Sequence, residues 1–347
     1  MNGFLALEDG TVFGGESVGA NGYAFGEAVF TTAMTGYQEM VTDPSFAEQI
    51  VTFTAPMIGN YGVEASRAES ARPHATAVIM REARGPAWTD WLYDHGVVAL
   101  SGVDTRSLTL HLRSSGAMRA IAMSGDASVE EAIQAVAGRP AMAGRPLAAG
   151  VSTAEPYAFS DRGRARIAVV DYGCKRSILS RLAQGGAAVT VFPHSAQVRD
   201  LHTFDGILLS NGPGDPEPLH DEVETVRALL GRVPILGICL GHQLLALATG
   251  HETYKLPFGH RGANHPVLDK RSDRVLVTSQ NHGFAVKATS AKEVTHVSLY
   301  DGTVEGLDFP WLRARSVQFH PEAGPGPHDA WPLLDEWVQE VAYAQAA

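Results

Sequence analysis

Cys239 lies in the most informative short motif of the sequence, a G-x-C-x-G turn with glycines at 237 and 241. The segment before it is typical of a strand and the segment after it of a helix, which is the setting of the G-x-S-x-G nucleophile elbow. Glycines permit the sharp turn, and the dipole and free N–H groups of a helix N-terminus stabilise a thiolate. A free cysteine is more often a small buried hydrophobe, but the paired glycines favour a nucleophile.

His320 and Glu322 are the candidate partners of this thiol. They lie in segment 316–322, SVQFHPE, which the pattern predicts to be a strand running into a turn. Residues two apart in extended backbone project from one face, so the pair can act together. Cys239 would then attack, His320 would take and return the proton, and Glu322 would orient the imidazole and stabilise its charged form. A histidine beside a glutamate is more often a surface pair, but the upstream cysteine elbow favours a triad.

The loop 211–216, NGPGDP, follows a neighbouring predicted strand. Its dipeptides are common turn signals, so a tight turn is one interpretation. The alternative is an oxyanion hole, with one backbone N–H from this loop at Gly214 and a second from Leu240, the residue after the nucleophile. The residues taken alone therefore predict a cysteine acyl-transfer enzyme of unspecified substrate.

Metal and nucleotide binding are the competing uses of such residues. No C-x-x-C, H-x-x-x-H or H-E-x-x-H spacing relates five candidate histidines of the second half: His242, His260, His265, His282 and His320. No G-x-x-x-x-G-K-[ST] segment occurs, and Glu217 stands where G-x-G-x-x-G would need a glycine. We therefore expect no metal and no P-loop in this chain.

The elements that must position these groups alternate between apolar strands and helices from residue 166 onward. RIAVVDYG, AAVTVF, GILLSNGPGD and PILGI predict strands, and the pattern through 177–182 predicts a helix closed by Gly185. Parallel sheets built in this way bind ligands at the carboxyl ends of their strands, which is where the motifs fall. We predict an α/β fold with a C-terminal open, mostly parallel sheet covered by helices on both faces.

The first half of the chain has a different pattern. Runs at 28–32 and 49–54 predict strands, and 105–113 predicts a helix with Asp104 as N-cap and Gly116 beyond its end. A Gly-, Pro- and Ala-rich break lies between about 138 and 166. We predict a β-rich α+β domain, a linker and the α/β domain, over 1–152, 153–165 and 166–347 respectively.

Composition excludes several classes of protein. The chain has 347 residues, 45% of them apolar, and a formal net charge of −11, which argues against a nucleic-acid or anionic-membrane partner. The apolar stretch 234–250 contains Pro234 and three glycines, so it predicts a strand, turn and helix rather than a membrane span. With only two cysteines and a start that lacks signal-peptide features, a cytoplasmic location is expected.

The motifs NGPGDP, GICLGHQ and FHPE resemble those of class I glutamine amidotransferases in order and spacing. Further segments narrow the resemblance to the small, glutamine-hydrolysing chain family of carbamoyl-phosphate synthase, and they span nearly the whole sequence: 34–46, 55–62, 102–113, 255–267, 280–286 and 320–330. The resemblance implies attack on the glutamine side-chain amide, a thioester, and transfer of ammonia to a large partner chain. It also implies that this partner, in a heterodimer or higher oligomer, makes carbamoyl phosphate from bicarbonate with ATP, Mg and K for arginine and pyrimidine synthesis.

The same resemblance implies a set of contacts to L-glutamine. It also implies that the N-terminal domain forms an interface to the partner chain and contributes one of these contacts, Ser45, to the glutamine site. These residues are Ser45, Gly212, Gly214, Leu240, Gln243, Asn281, Gly283 and Phe284. For Ser45 the residues alone favour an ordinary turn. Cys174 departs from the family pattern, and we expect it to be a small buried residue outside the mechanism.

Two alternatives stay open at this point. The chain could be the glutaminase subunit of another amidotransferase synthase, or a catalytically silent assembly subunit. The presence of Cys239, His320 and Glu322 together argues against a silent chain.

Overall fold

A computed structural model of the chain describes residues 2–125 and 128–344. The chain divides into two compact units. The first holds the residues up to Ala143 together with the short segment Pro257–Arg261, and the second holds Gly144–Leu256 and the residues from Gly262 onward. The predicted assignment of 1–152, 153–165 and 166–347, with the role given to each part, stays a prediction.

The first unit is built around a closed β-barrel with the strand order β1-β2-β6-β5-β4-β3-β7. Its strands are β1 (Gly3–Leu7), β2 (Val12–Ser17), β3 (Gly22–Thr31), β4 (Gln49–Phe53), β5 (Ala77–Ile79), β6 (Val98–Ser101) and β7 (Met118–Ser124). Its helices are α1 (Tyr37–Thr42), α2 (Pro86–Asp94), α3 (Thr105–Ser115) and α4 (Val129–Ala137). Pairing is parallel from β3 to β6 and antiparallel elsewhere around the barrel.

Helix α3 shows how local sequence sets an element of this unit. The Asp104 carboxylate accepts the Ser107 N–H at 3.1 Å and so caps the helix start, while Gly116 with φ of 96° ends it. Leu108 and Leu112, one turn apart, are buried in the barrel core. The predicted helix and both predicted strands of the first half are confirmed.

The second unit contains a ten-stranded sheet with the order β14-β13-β15-β16-β17-β12-β11-β9-β10-β8. Its strands are β8 (Tyr157–Ser160), β9 (Ala165–Asp171), β10 (Ala187–Pro193), β11 (Gly206–Leu209), β12 (Ile235–Ile238), β13 (Glu252–Asp269), β14 (Arg274–Lys287), β15 (Val294–Ser298), β16 (Val304–Phe309) and β17 (Ala314–Val317). Its helices are α5 (Arg176–Gln184), α6 (Val198–Leu201), α7 (His220–Leu229), α8 (Leu240–Ala248) and α9 (Trp331–Ala344).

Two buried apolar clusters lie on opposite faces of this sheet. Leu244 and Leu245 of α8 and Val226 of α7 belong to one cluster, while Ile178 of α5 and Trp337 of α9 belong to the other. The predicted α/β fold with helices on both faces is therefore confirmed. The parallel strands β10, β9, β11, β12 and β17 form its central part, and antiparallel strands extend the sheet on both sides.

The segment predicted to be a linker contains strand β8, which pairs antiparallel with β10. The stretch just before it is also held by hydrogen bonds of the second unit, because the Thr153 N–H donates to the Asp171 carboxylate at 2.7 Å. Its Gly- and Pro-rich composition predicted irregular backbone, and this pairing with β10 was not visible in it.

The apolar stretch around the cysteine forms strand β12 and helix α8, as its pattern predicts. Within 2–125 and 128–344, no helix is long and apolar enough to cross a membrane.

Candidate active site

Cys239 stands between β12 and α8 in a strained backbone conformation, with φ of 54° and ψ of −103°. Its N–H donates to the Val317 carbonyl at 3.0 Å, which ties the turn to the neighbouring strand β17. The flanking glycines are required by space, since a Cβ at Gly241 would lie 2.1 Å from the Leu209 carbonyl oxygen and one at Gly237 would lie 2.5 Å from the Gly241 carbonyl oxygen. Strand, turn and helix therefore form the elbow that the G-x-C-x-G spacing predicts.

His320 lies beside this elbow and is bonded to Glu322. Its Nδ1 is 2.7 Å from Glu322 Oε1, and both side chains are buried. The expectation that extended backbone aligns the pair is wrong, because β17 ends at Val317 and Glu322 lies in a turn. The turn is closed by the Ala323 N–H, which donates to the His320 carbonyl at 3.2 Å, and it brings the two side chains together in place of a strand.

Lys175 is a third charged group at this point, and the sequence motifs did not indicate it. Its side chain is 3% exposed, and its Nζ donates to Glu322 Oε1 at 2.9 Å and to the Ala323 carbonyl at 2.6 Å. It follows β9, whose carboxyl end lies at the same edge of the sheet as those of β12 and β17. A lysine just after a strand that ends at this edge is the signal by which sequence reasoning could have found it.

The surrounding charges shift the pKa values of His320 and Glu322. Burial by itself disfavours the His320 imidazolium, but the Glu322 carboxylate and the nearby Cys239 side chain outweigh it and raise the pKa of His320 to about 10. Burial likewise opposes the Glu322 carboxylate, yet the Lys175 ammonium and the imidazolium lower the pKa of Glu322 to about 2. At neutral pH the His320 side chain is therefore an imidazolium, with a proton on both ring nitrogens. Because Nδ1 is bonded to Glu322, Nε2 is the atom left to exchange a proton with the thiol.

This arrangement predicts a pH-dependent contribution of His320 to stability. Because its folded pKa is raised from 6.5 to about 10, the stabilisation is complete below pH 6.5 and is lost as the pH rises toward 10. The difference in free energy of unfolding between the wild type and His320→Asn is expected to shrink above pH 6.5, by at most about 1.4 kcal/mol per pH unit. Urea unfolding from pH 6 to 9 measures it, and a difference that stays constant over this range would contradict the prediction.

A control with the opposite sign is available in His296. Burial lowers the pKa of His296 to about 4, so its effect on stability changes with pH below 6.5. Above pH 6.5 the difference in free energy of unfolding between the wild type and His296→Asn is therefore expected to stay constant, while the corresponding difference for His320→Asn falls.

The loop 211–216 lies against the elbow. A Cβ at Gly212 would be 2.2 Å from the Tyr172 carbonyl oxygen and 2.9 Å from the Leu240 side chain, so this glycine sets the distance between loop and elbow. Gly214 has φ of 91° and packs on the Arg145 carbonyl. Leu240 is the first residue of α8, where the backbone N–H has no acceptor within the helix. The assignment of Gly214 and Leu240 to an oxyanion hole stays a prediction.

Three of the predicted glutamine contacts in this unit are joined by hydrogen bonds to each other or to the elbow. The Asn281 carbonyl is 3.6 Å from the Cys239 sulfur, and the Phe284 carbonyl accepts from Gln243 Nε2 at 2.9 Å. Gly283 lies between them on β14.

Ser45 belongs to the other unit, in a short turn where its N–H donates to the Asp43 carboxylate at 2.9 Å. Its contact with glutamine, like the others, stays a prediction. Cys174 is partly exposed, so the expectation that it is buried is wrong; it precedes α5 in a turn held by the Asp171 carboxylate.

Comparison with known families identifies the class of this site. The family described as glutamine amidotransferase class-I matches residues 168–339, and the family described as carbamoyl-phosphate synthase small chain, CPSase domain, matches residues 5–122. The α/β unit with its cysteine elbow is therefore a class I glutamine amidotransferase domain.

Relatives extend the match to nearly the whole chain. The carbamoyl phosphate synthase small chain of Syntrophotalea carbinolica is 45% identical over 365 residues, covering 97% of this chain and 97% of that protein. The one from Methanopyrus kandleri is 46% identical over 356 residues, covering 97% and 98%. This chain belongs to the carbamoyl phosphate synthase small chain family.

A solved structure, that of a glutamine amidotransferase from Thermotoga maritima, is 17% identical, covers 53% of this chain and 86% of that protein, and gives a TM-score of 0.39. The small-chain matches do not favour the alternatives of a subunit serving another synthase or of a silent assembly subunit.

Proposed function

We propose that this chain is the glutaminase subunit of a glutamine-dependent carbamoyl-phosphate synthase. It hydrolyses L-glutamine to glutamate and passes the ammonia to a large partner chain. The observation that carries the proposal is the buried array of Cys239 on the elbow, His320 beside it and Glu322 bonded to the imidazole at 2.7 Å. Membership of the small-chain family supports the choice of synthase.

Cys239 and His320 carry out the bond changes. The Cys239 thiolate, whose proton is held on Nε2 of the His320 imidazolium, attacks the side-chain carbonyl carbon of glutamine. A C–S bond forms as the C=O π electron pair moves to the oxygen, where N–H groups at Leu240 and Gly214 stabilise the negative charge. The protonated Nε2 of His320 then gives its proton to the amide nitrogen, the C–N bond breaks, and ammonia leaves a thioester. Water, losing a proton to His320, attacks this thioester and the C–S bond breaks, which releases glutamate.

Glu322 and Lys175 act on the imidazole without touching the reacting atoms. Glu322 accepts from Nδ1 and keeps Nε2 directed at the sulfur, and Lys175 keeps Glu322 ionised in a site that excludes water. Glutamine would be held by Ser45, Gly212, Gln243, Asn281, Gly283 and Phe284.

The large chain would supply the remaining chemistry. It would bind ATP, Mg²⁺ and K⁺, and it would combine ammonia with bicarbonate to give carbamoyl phosphate. Such a protein partner is compatible with the net charge of −11, which argues only against polyanions.

Amide-labelled glutamine tests the proposal. The chain is incubated with the large chain of a related synthase, bicarbonate, ATP and [amide-¹⁵N]glutamine, and ¹⁵N is expected in carbamoyl phosphate. Label found only in free ammonia would leave a glutaminase without this partner. Label retained in glutamine would overturn the glutaminase assignment itself.

A further inference from the structure

Gln318 is a buried residue of the site to which neither the motifs nor the mechanism assigns a role. It follows β17, and its backbone N–H donates to the Glu305 carbonyl at 2.9 Å, which fixes its position beside β16. Its side chain is fully buried, and its Oε1 accepts a hydrogen bond from Gln243 Nε2 at 3.2 Å. Gln318 thus touches a predicted glutamine contact without belonging to that set.

The Phe284 carbonyl fixes the orientation of the side-chain amides of Gln243 and Gln318. The Phe284 carbonyl lies 2.9 Å from the Gln243 amide, and since a carbonyl oxygen only accepts, the Gln243 atom facing it must be Nε2. The other hydrogen of Nε2 goes to Gln318, which must therefore present Oε1. Both donors of the Gln243 amide are then used, and Oε1, an acceptor only, is its remaining polar atom.

The position of that acceptor matches one group of glutamine. Gln243 follows Cys239 by four residues, about 6 Å along α8, and its N–H donates to the Cys239 carbonyl at 3.2 Å. When the substrate amide is at the sulfur, the amino-acid end of glutamine offers an α-ammonium, which only donates, and an α-carboxylate, which only accepts. Of the two, an amide oxygen can pair only with the ammonium.

The other end of the Gln318 amide argues against a mere packing role. Its Nε2 is buried and has no hydrogen-bond partner among residues 2–125 and 128–344. A buried donor without a partner is costly, and a methionine would fill the same space without that cost. The side chain is therefore explained by the acceptor it offers to Gln243.

We propose that Gln318 is a positioning residue that holds the Gln243 amide with its Oε1 toward the α-ammonium of glutamine, and so selects an amino acid over an amide without the amino group. The inference rests on the proposed function, because it names the part of the substrate that this end of the site reads.

Calorimetry with two ligands tests the inference. The protein is the full chain carrying Cys239→Ser, so that turnover does not interfere with the binding measurement. The ligands are L-glutamine and glutaramate, which has the same amide and carboxylate but lacks the amino group. Adding Gln318→Met is expected to weaken glutamine binding about tenfold and to leave glutaramate binding unchanged. Adding Gln318→Glu, which keeps an acceptor oxygen, is expected to stay within about threefold of the parent for both ligands.

A matched control is Gln280→Met, which removes another buried glutamine amide, one bonded to Glu305 Oε2 at 2.8 Å rather than to Gln243. Three results would overturn the role of Gln318 and leave the proposed function intact. Gln318→Met could weaken the binding of both ligands equally, or the binding of neither. Gln280→Met could also weaken the binding of glutamine alone as much as Gln318→Met does. Failure of the Cys239→Ser parent to bind glutamine would instead overturn the proposed function, and this inference with it.

Discussion

A Cys239→Ser chain is expected to lose glutamine hydrolysis by at least about 10³-fold, while its complex with the large chain still makes carbamoyl phosphate from added ammonia. The reason lies in the protonation of His320. With its pKa raised to about 10, His320 is an imidazolium at neutral pH and has no free ring nitrogen. It therefore cannot accept the hydroxyl proton that a serine must lose before it attacks. A thiol can exist as the thiolate beside an imidazolium, whereas a serine hydroxyl cannot.

Glutamate release from glutamine, measured beside ammonia-dependent carbamoyl phosphate synthesis, separates chemistry from assembly. Cys174→Ser is the matched control, since that thiol lies in a turn outside the triad, and it is expected to keep both activities. Glutamine hydrolysis retained by Cys239→Ser would refute the role of this thiol as nucleophile.

Replacing Lys175 by methionine is expected to have the largest effect on stability, a loss of about 3–5 kcal/mol in the free energy of unfolding. The substitution removes the ammonium 2.9 Å from the buried Glu322 carboxylate, in a pair whose side chains are 3% and 0% exposed. The Glu322 carboxyl then takes up a proton more readily, which weakens its hold on the His320 imidazole, so glutamine hydrolysis is expected to fall as well.

Lys287→Met is a control of the same chemistry. Its Nζ is also 2.9 Å from a carboxylate, that of Glu252, but these side chains are 70% and 63% exposed. Such exposed pairs contribute about 0–1 kcal/mol, so urea unfolding at neutral pH is expected to show little change. Similar losses for the two variants would show that burial does not set the strength of the Lys175 pair.

The elbow was predictable because its geometry depends on neighbours in sequence. Two glycines at fixed offsets, a strand before and a helix after are all visible in the residues 235–248, and the close approaches at Gly237 and Gly241 explain why no side chain is allowed there. Helix α3 was predictable for the same reason, with its cap and its end both within a few residues. Local steric and capping rules decide such elements.

The parts of the site and of the sheet that the sequence did not predict depend on contacts between residues far apart in the chain. Lys175 meets Glu322 across 147 positions of sequence, and Gln318 meets Gln243 across 75, so both follow from strand order and register. The apolar pattern that predicted parallel strands did not predict the antiparallel extension from β13 to β16, because those strands carry polar residues such as the buried Glu305 and His296. Which loop residues reach one sheet edge is a tertiary property.

The segment Pro257–Arg261 bears on any attempt to divide the gene. It is hydrogen-bonded within the first unit, where Ala117 N–H donates to the Pro257 carbonyl at 2.7 Å and Thr32 N–H to the Arg261 carbonyl at 3.1 Å. The polypeptide therefore passes between the units three times, after positions 143, 256 and 261. A single cut yields an N-terminal fragment that lacks five of its own residues and a C-terminal fragment that carries them as a foreign insert. Domain-swap chimaeras and split-protein complementation in this family need three junctions, not one.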